Sequence, residues 1–267
     1  TQVLIMSQKI YQIDAFADTL FSGNPAAVCP LENWLDADIM QKIAAENNLA
    51  ETAFTVPVEN GFEIRWFTPE VEVDLCGHAT LASAYTLMNF ERFSGEKINF
   101  FSRNSGTLTV TKNGDFLTLD FPVDNLQKVE DLAIFEKCFV YQPIEAYQGK
   151  TDYLLIFENE HQIQNIEPNI PEIAKINARG IIVSSISENF DFVSRFFGPN
   201  CGVNEDPVTG SAHTTLTPFW AEKLGKNKLT AKQISKRGGV LECELKNDRV
   251  LISGKCKTYL KGEIFIK

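Results

Sequence analysis

No run of apolar residues in this chain approaches the roughly eighteen that a membrane-spanning helix needs, so a membrane is not an expected partner. Positive charge is short as well: 25 Lys and Arg stand against 35 Asp and Glu, a formal net charge of −10. Phosphate backbones and anionic lipids are gripped by clustered Lys and Arg, which excludes nucleic acid as a partner. The basic pair Lys236 and Arg237, beside Gly238 and Gly239, reads as a turn. There are 3 histidines, and the 6 cysteines, at 29, 76, 138, 201, 243 and 256, show neither a CxxC spacing nor a metal-like pairing with those histidines. Free thiols in a reducing, cytoplasmic compartment are expected, with no bound metal. The opening TQVLIMSQK has too few apolar residues and too little leading positive charge for a signal peptide, and Met6 is a candidate initiator. Low-complexity segments and Gly/Ser-rich linkers are missing too.

What is present is the composition of an ordinary globular protein, 44% hydrophobic and 22% charged. At 267 residues it is one large domain or two ordinary ones. An internal echo decides for two. RWFTP (65–69) returns as RFFGP (195–199), Ile43–Ala44 as Ile173–Ala174 and Asn47 as Asn177, all at one spacing. After a short insertion Gly77 returns as Gly210.

Alternating stretches predict strands at IYQIDAF, AAVC, LAETAFTV, FEIRWFTP and KINFFS, then a hairpin, TLTVTKNGDFLTLDFP, turning at Asn113–Gly114 in type I′ geometry. Asp36 is the expected N-cap of a helix through Ile39, Met40, Ile43 and Ala44. EAYQGKTDYLLIF, GIIVSSI, FDFVSRFFGP, VLECEL, RVLISGK and TYLKGEIFI supply later strands, and PEIAKIN a short helix. Many strands with two small-residue helices suggest an α+β protein in which each half curls a sheet around one central helix. Pro122 is the expected boundary, giving domains 1–122 and 123–267, with strand 258–267 a candidate to pack with the first.

The chain is organised around NEDPVTGSAHTT (204–215). Glu205 and Asp206 precede a proline, then Thr209, Gly210 and Ser211 lead into SAHTTLTPFWAEKL, a helix closed by Gly225. DLCGHATLASA (74–84) is the second such device, with Cys76, Gly77 and His78 at its start. A helix entered this way offers unpaired N–H groups and the positive end of its dipole, which suits a carboxylate or phosphate. A pseudo-two-fold relation between halves would bring both starts towards one cleft. Taken singly, Glu51 is a strand-end carboxylate, His78 a helix-start histidine, Asp206 and Asn24 turn formers, His213 a structural group and His161 a surface loop residue.

Together, GNPAAV with Asn24, NLAETAF with Glu51, DLCGHAT with His78, and EDPVTGSAH with Asp206 and Ser211 resemble the phenazine biosynthesis PhzF-like family, of diaminopimelate epimerase fold. The resemblance spans nearly the whole chain. It implies two mixed α/β barrels, a small carboxylate-bearing substrate bound without a cofactor, and a homodimer. It also implies that Glu51 is a general acid and base with His78 and Asp206 beside it, while Gly77, Gly210 and Ser211 cradle the substrate carboxylate. Asn24, Cys76 and Thr209 join them as candidate binding residues. A base that takes a proton from carbon needs partly dry surroundings, where burial is expected to raise the Glu51 pKa. Its counterpart in the second half, Ile181, cannot do this.

Two other functions stay open. Epimerases and racemases of this fold use two thiols; Cys76 falls on one position, but Thr209 falls on the other and cannot form a thiolate. A catalytically silent binding protein is the third. The substrate itself is not named by any spacing in the chain.

Overall fold

The structure is a computed structural model that describes residues 6–91 and 93–266. Residues 1–5 lie outside it, and with them the reading of the segment ahead of Met6. The chain divides into two compact units, residues 1–120 with 253–267, and residues 121–252.

The first unit contains β1 (Met6–Ala15), β2 (Asn24–Pro30), α1 (Ala37–Asn47), β3 (Glu51–Val58), β4 (Gly61–Phe67), β5 (Glu72–Val73), α2 (Gly77–Phe90), β6 (Lys97–Ser102), β7 (Gly106–Asn113) and β8 (Phe116–Pro122). β2 lies antiparallel to β1, β3 parallel to β2, β4 antiparallel to β3, β6 parallel to β4 and β7 antiparallel to β6.

The second unit contains β9 (Gln127–Lys128), β10 (Glu145–Gln148), β11 (Asp152–Ile156), α3 (Glu160–Asn165), α4 (Ile170–Ile173), β12 (Gly180–Ile186), β13 (Phe192–Gly198), β14 (Val203–Asp206), α5 (His213–Leu224), β15 (Lys228–Gln233), β16 (Gly239–Lys246) and β17 (Arg249–Gly254). Its pairing order is the same: β10–β11 antiparallel, β11–β12 parallel, β12–β13 antiparallel, β13–β15 parallel, β15–β16 antiparallel. The chain ends in β18 (Cys256–Ile266), antiparallel to β1 from Met6↔Ile266 to Ala15↔Cys256, so the closing segment belongs to the first unit and the second stops at Ile252.

The echo in the sequence is also an echo in contacts. Arg65 donates from Nε and Nη2 to both carboxylate oxygens of Glu72 at 2.6 Å, its guanidinium 5.1 Å from the Phe67 ring centroid. Arg195 grips Glu205 in the same way at 2.6 and 3.0 Å, 5.0 Å from the Phe197 centroid.

Each unit buries one helix on nearly all sides. In α2 the residues from His78 to Ala84 are all buried, as are Thr86 and Leu87. Thr80, Ser83 and Thr86 return their hydroxyl protons to the carbonyls one turn back at 2.6, 2.7 and 2.9 Å, so an apolar setting leaves no hydroxyl donor idle. α5 contains Pro218, which has no N–H for the Thr214 carbonyl; the Asp124 amide donates to that carbonyl instead, at 3.2 Å. Gly225, at φ +65°, ends α5 in the left-handed conformation. α1 lays Met40, Ile43 and Ala44 on a core with Phe54 and Phe67, and a second core gathers Phe135, Phe139, Phe157, Val183 and Phe197. Among the described residues no helix is long and apolar enough to cross a membrane.

Local expectations differ at three places. Asn113 pairs with Phe116, so the hairpin turns at Gly114–Asp115, not at Asn113–Gly114. Only Gly114 of the two takes positive φ, +58°, the pattern of a type II′ turn in which glycine fills the first central position. Asp36 precedes α1 without a side-chain cap bond. His161 lies exposed on α3, whose Asn159 cap accepts from the Gln162 amide at 3.0 Å, so it is helical and not in a loop.

Candidate active site

In the first unit the elements around α2 bring Asn24, Glu51, Cys76, Gly77 and His78 together. Gly23 makes the sharp entry to β2 at φ +74°; a Cβ there would stand 2.3 Å from the Ala15 carbonyl oxygen, so only glycine fits. Asn24 follows, fully buried at the first position of β2. Glu51 opens β3, paired in parallel with Ala26, and five buried residues follow it. Cys76, in extended backbone at φ −144°, ψ 110°, caps α2, and Gly77 and His78 are its first residues.

The side chains converge on the His78 imidazole. Its Nε2 lies 3.1 Å from Glu51 Oε2, within ion-pair distance. On the other edge, Nδ1 lies 3.3 Å from Asn24 Nδ2 and 3.5 Å from Cys76 Sγ. The His78 side chain is 7% exposed and that of Glu51 19%, so Glu51 is the more accessible of the two, although its Oε2 is buried.

Burial pushes the Glu51 carboxyl up, but the His78 charge and the His78 and Cys76 hydrogen bonds outweigh it and hold the group below the ordinary carboxylate range. The expectation that burial would raise Glu51 is therefore corrected: its cationic neighbour wins. For His78 burial acts downward, and Cys76 and Glu51 together lift it well above the ordinary imidazole value. Burial and then the Glu51 charge push the Cys76 thiol up, which keeps it protonated. Within the cluster the Glu51 carboxyl is thus held low, while the His78 imidazole and the Cys76 thiol are both held high.

In the second unit Asp206 ends β14, and Thr209, Gly210 and Ser211 form the approach to α5. That helix starts at His213, because Ala212 and His213 bond tightly back to the carbonyls of Thr209 and Gly210 at 3.2 and 3.0 Å. The Thr209 hydroxyl donates to Asp206 Oδ2 and accepts from Gln233 Nε2 at 3.3 Å. Gln233, fully buried on β15, also accepts from the Thr209 amide at 2.8 Å and donates to the Asp206 carbonyl at 2.7 Å. Arg179 donates from Nε and Nη2 to the carboxylate of buried Asp152, and from Nη2 to Ser211 Oγ at 3.1 Å. His213 is fully buried with Nδ1 donating to the Thr209 carbonyl at 2.9 Å, and burial lowers its pKa to about 4.

The sequence matches the family model described as phenazine biosynthesis-like protein over residues 13–262. The chain belongs to that family. An uncharacterized isomerase of Pseudomonas aeruginosa is 48% identical over 263 residues, 98% of this chain and 100% of the relative. The crystal structure of a PhzF-family phenazine biosynthesis protein from Enterococcus faecalis superposes with a TM-score of 0.95 at 44% identity, covering 98% of this chain and 100% of that one. A hydroxyproline epimerase of Agrobacterium vitis, at 9% identity and a TM-score of 0.62 over 97% and 93% of the two chains, shares the fold alone. The fold is α+β and of the diaminopimelate epimerase-like class.

In this phenazine biosynthesis-like protein the residues singled out from the sequence fall into two sets, Asn24, Glu51, Cys76, Gly77 and His78 in one unit and Asp206, Thr209, Gly210 and Ser211 in the other. Asn24 does more than shape a turn, since its buried amide meets the imidazole. Arg179, Asp152 and Gln233 carried no signal: each reaches its partners across 24 or more residues, and no local pattern announces such contacts.

Proposed function

We propose that this protein is a cofactor-independent isomerase of a small carboxylic acid, in which Glu51 takes a proton from carbon and returns it elsewhere on the same molecule. The observation that carries the reading is the Glu51–His78 contact at 3.1 Å, with the carboxyl held low and the imidazole held high. An ionised carboxylate with some solvent access is competent to accept a proton, and the imidazolium beside it can donate one. The α2 start at Gly77 places helix-dipole charge where a substrate carboxylate or a developing enolate would be stabilised. The name isomerase borne by the Pseudomonas aeruginosa relative agrees with this.

The second unit presents polar groups of its own. Arg179 donates to Ser211 Oγ, which leaves that hydroxyl's own proton for an acceptor, and with the Gly210 amide this suits a carboxylate. Asp206, with one oxygen taken by Thr209, orients or relays in this reading and does not attack carbon. Thr209 is ill suited to the part of a second thiol, since its hydroxyl already donates and accepts, so the two-thiol racemase is disfavoured.

The test is proton NMR of a panel of small carboxylic acids in deuterated water with the protein added. Wild type is expected to carry deuterium into carbon-bound positions of an accepted acid, and Glu51→Gln to slow this by a factor of about 10²–10⁴. Exchange that persists undiminished in Glu51→Gln removes Glu51 from the role of base.

A further inference from the structure

Among the described residues, a carboxylate oxygen of Glu51, a ring nitrogen of His78 and the Cys76 thiol sulfur all lie within 4.8 Å of one another. Carboxylate, imidazole and thiolate are the ligand types of zinc sites, and three protein ligands with an open fourth position is the usual catalytic-zinc pattern. Ligands held at about 2.0–2.3 Å in tetrahedral geometry stand roughly 3.3–3.8 Å apart, so modest closure of this cluster would suffice. One ring nitrogen of His78, Nε2, faces Glu51 Oε2 at 3.1 Å, and Cys76 Sγ lies 3.5 Å from the other, Nδ1, so both prospective partners already meet the imidazole.

We propose that Glu51, Cys76 and His78 form a binding site for a thiophilic divalent cation, of which Zn²⁺ is the type, and that occupancy switches the cluster off. Charge balances at the site. A carboxylate, a thiolate and a neutral imidazole offset the two positive charges of the cation, which a buried position requires. The metal-binding half stands on geometry alone; the switching half rests on the function proposed above, because it needs Glu51 and His78 to be the groups that move the proton. Cys76, which that mechanism leaves unused, gains a role as the residue that makes the site soft.

The probe is Co²⁺, added to the full chain and followed by absorption. Wild type is expected to bind one Co²⁺ with a sulfur-to-cobalt charge-transfer band. Cys76→Ser is expected to abolish the band, Glu51→Gln to weaken binding at least tenfold, and Cys201→Ser, which removes the exposed cysteine, to change nothing. A band that survives Cys76→Ser, or no band in wild type, overturns the site. X-ray absorption of the zinc-loaded wild type needs no variant: one sulfur among nitrogen and oxygen neighbours supports the site, and a shell without sulfur overturns it. Zn²⁺ added to the deuterium-exchange assay separates the two readings. Binding without exchange in metal-free protein defeats the isomerase reading and leaves the site standing, whereas exchange that continues with Zn²⁺ bound defeats the switch.

Discussion

Oε2 of Glu51 and Nε2 of His78 lie 3.1 Å apart although one residue opens a strand and the other a helix, and each displaces the other's proton affinity, Glu51 downward and His78 upward. Their joint contribution to stability depends on pH in a defined way. His78 binds its proton more tightly when folded, so its share is complete below the ordinary imidazole value of about 6.5 and is lost as pH rises through the raised value. The share of Glu51 is present above about 4.3 and lost as pH falls through the lowered value.

His78→Gln is therefore expected to destabilise most between about pH 4.3 and 6.5, by roughly 1–3 kcal/mol, with the difference from wild type shrinking on both sides of that window. Urea unfolding of both proteins across pH checks it. A loss that is the same at every pH contradicts the paired charges.

The repeated arginine pairs give unequal predictions. Arg65→Lys breaks one two-pronged grip on Glu72, which is itself partly exposed, and should cost about 1 kcal/mol. Arg195 also donates from Nη1 to the carbonyls of Ile163 and Ile166 at 3.2 and 2.9 Å. Arg195→Lys leaves those carbonyls without their donor and is expected to cost more, roughly 2–4 kcal/mol. Denaturant midpoints of the two variants rank them, and an equal or reversed order contradicts the account.

Gln233→Leu keeps the bulk of the side chain but removes the partners of the Thr209 amide and the Asp206 carbonyl. A buried donor left unsatisfied costs about 1–3 kcal/mol. Hydrogen exchange should show the 206–211 approach to α5 losing protection ahead of β15 itself. Unchanged protection there would mean that Gln233 does not hold this segment.

Much of this was legible before any coordinates. The spacing that links residues 65–69 to 195–199 reappears as Arg65–Glu72 and Arg195–Glu205, because a duplicated strand keeps both its pairing and the charges it anchors. Cys76 and His78 were legible as neighbours since one helix start holds both. The Glu51 pKa was misjudged from burial alone, since the sequence does not say that a cation faces the carboxylate. The hairpin turn slipped by one residue because Asn113 retains a partner in Phe116. Asp152 and Arg179 sit in unremarkable sequence and meet only because β11 and β12 run side by side, Asp152 opposite Gly180.

The central claim is that Glu51 and His78 stand as a carboxylate and an imidazolium. Nitrogen-15 NMR of histidine-labelled protein at pH 7 tests it most directly. The account predicts that both ring nitrogens of His78 carry protons in wild type and that Glu51→Gln returns the ring to its neutral form. A neutral His78 in wild type at that pH would contradict it.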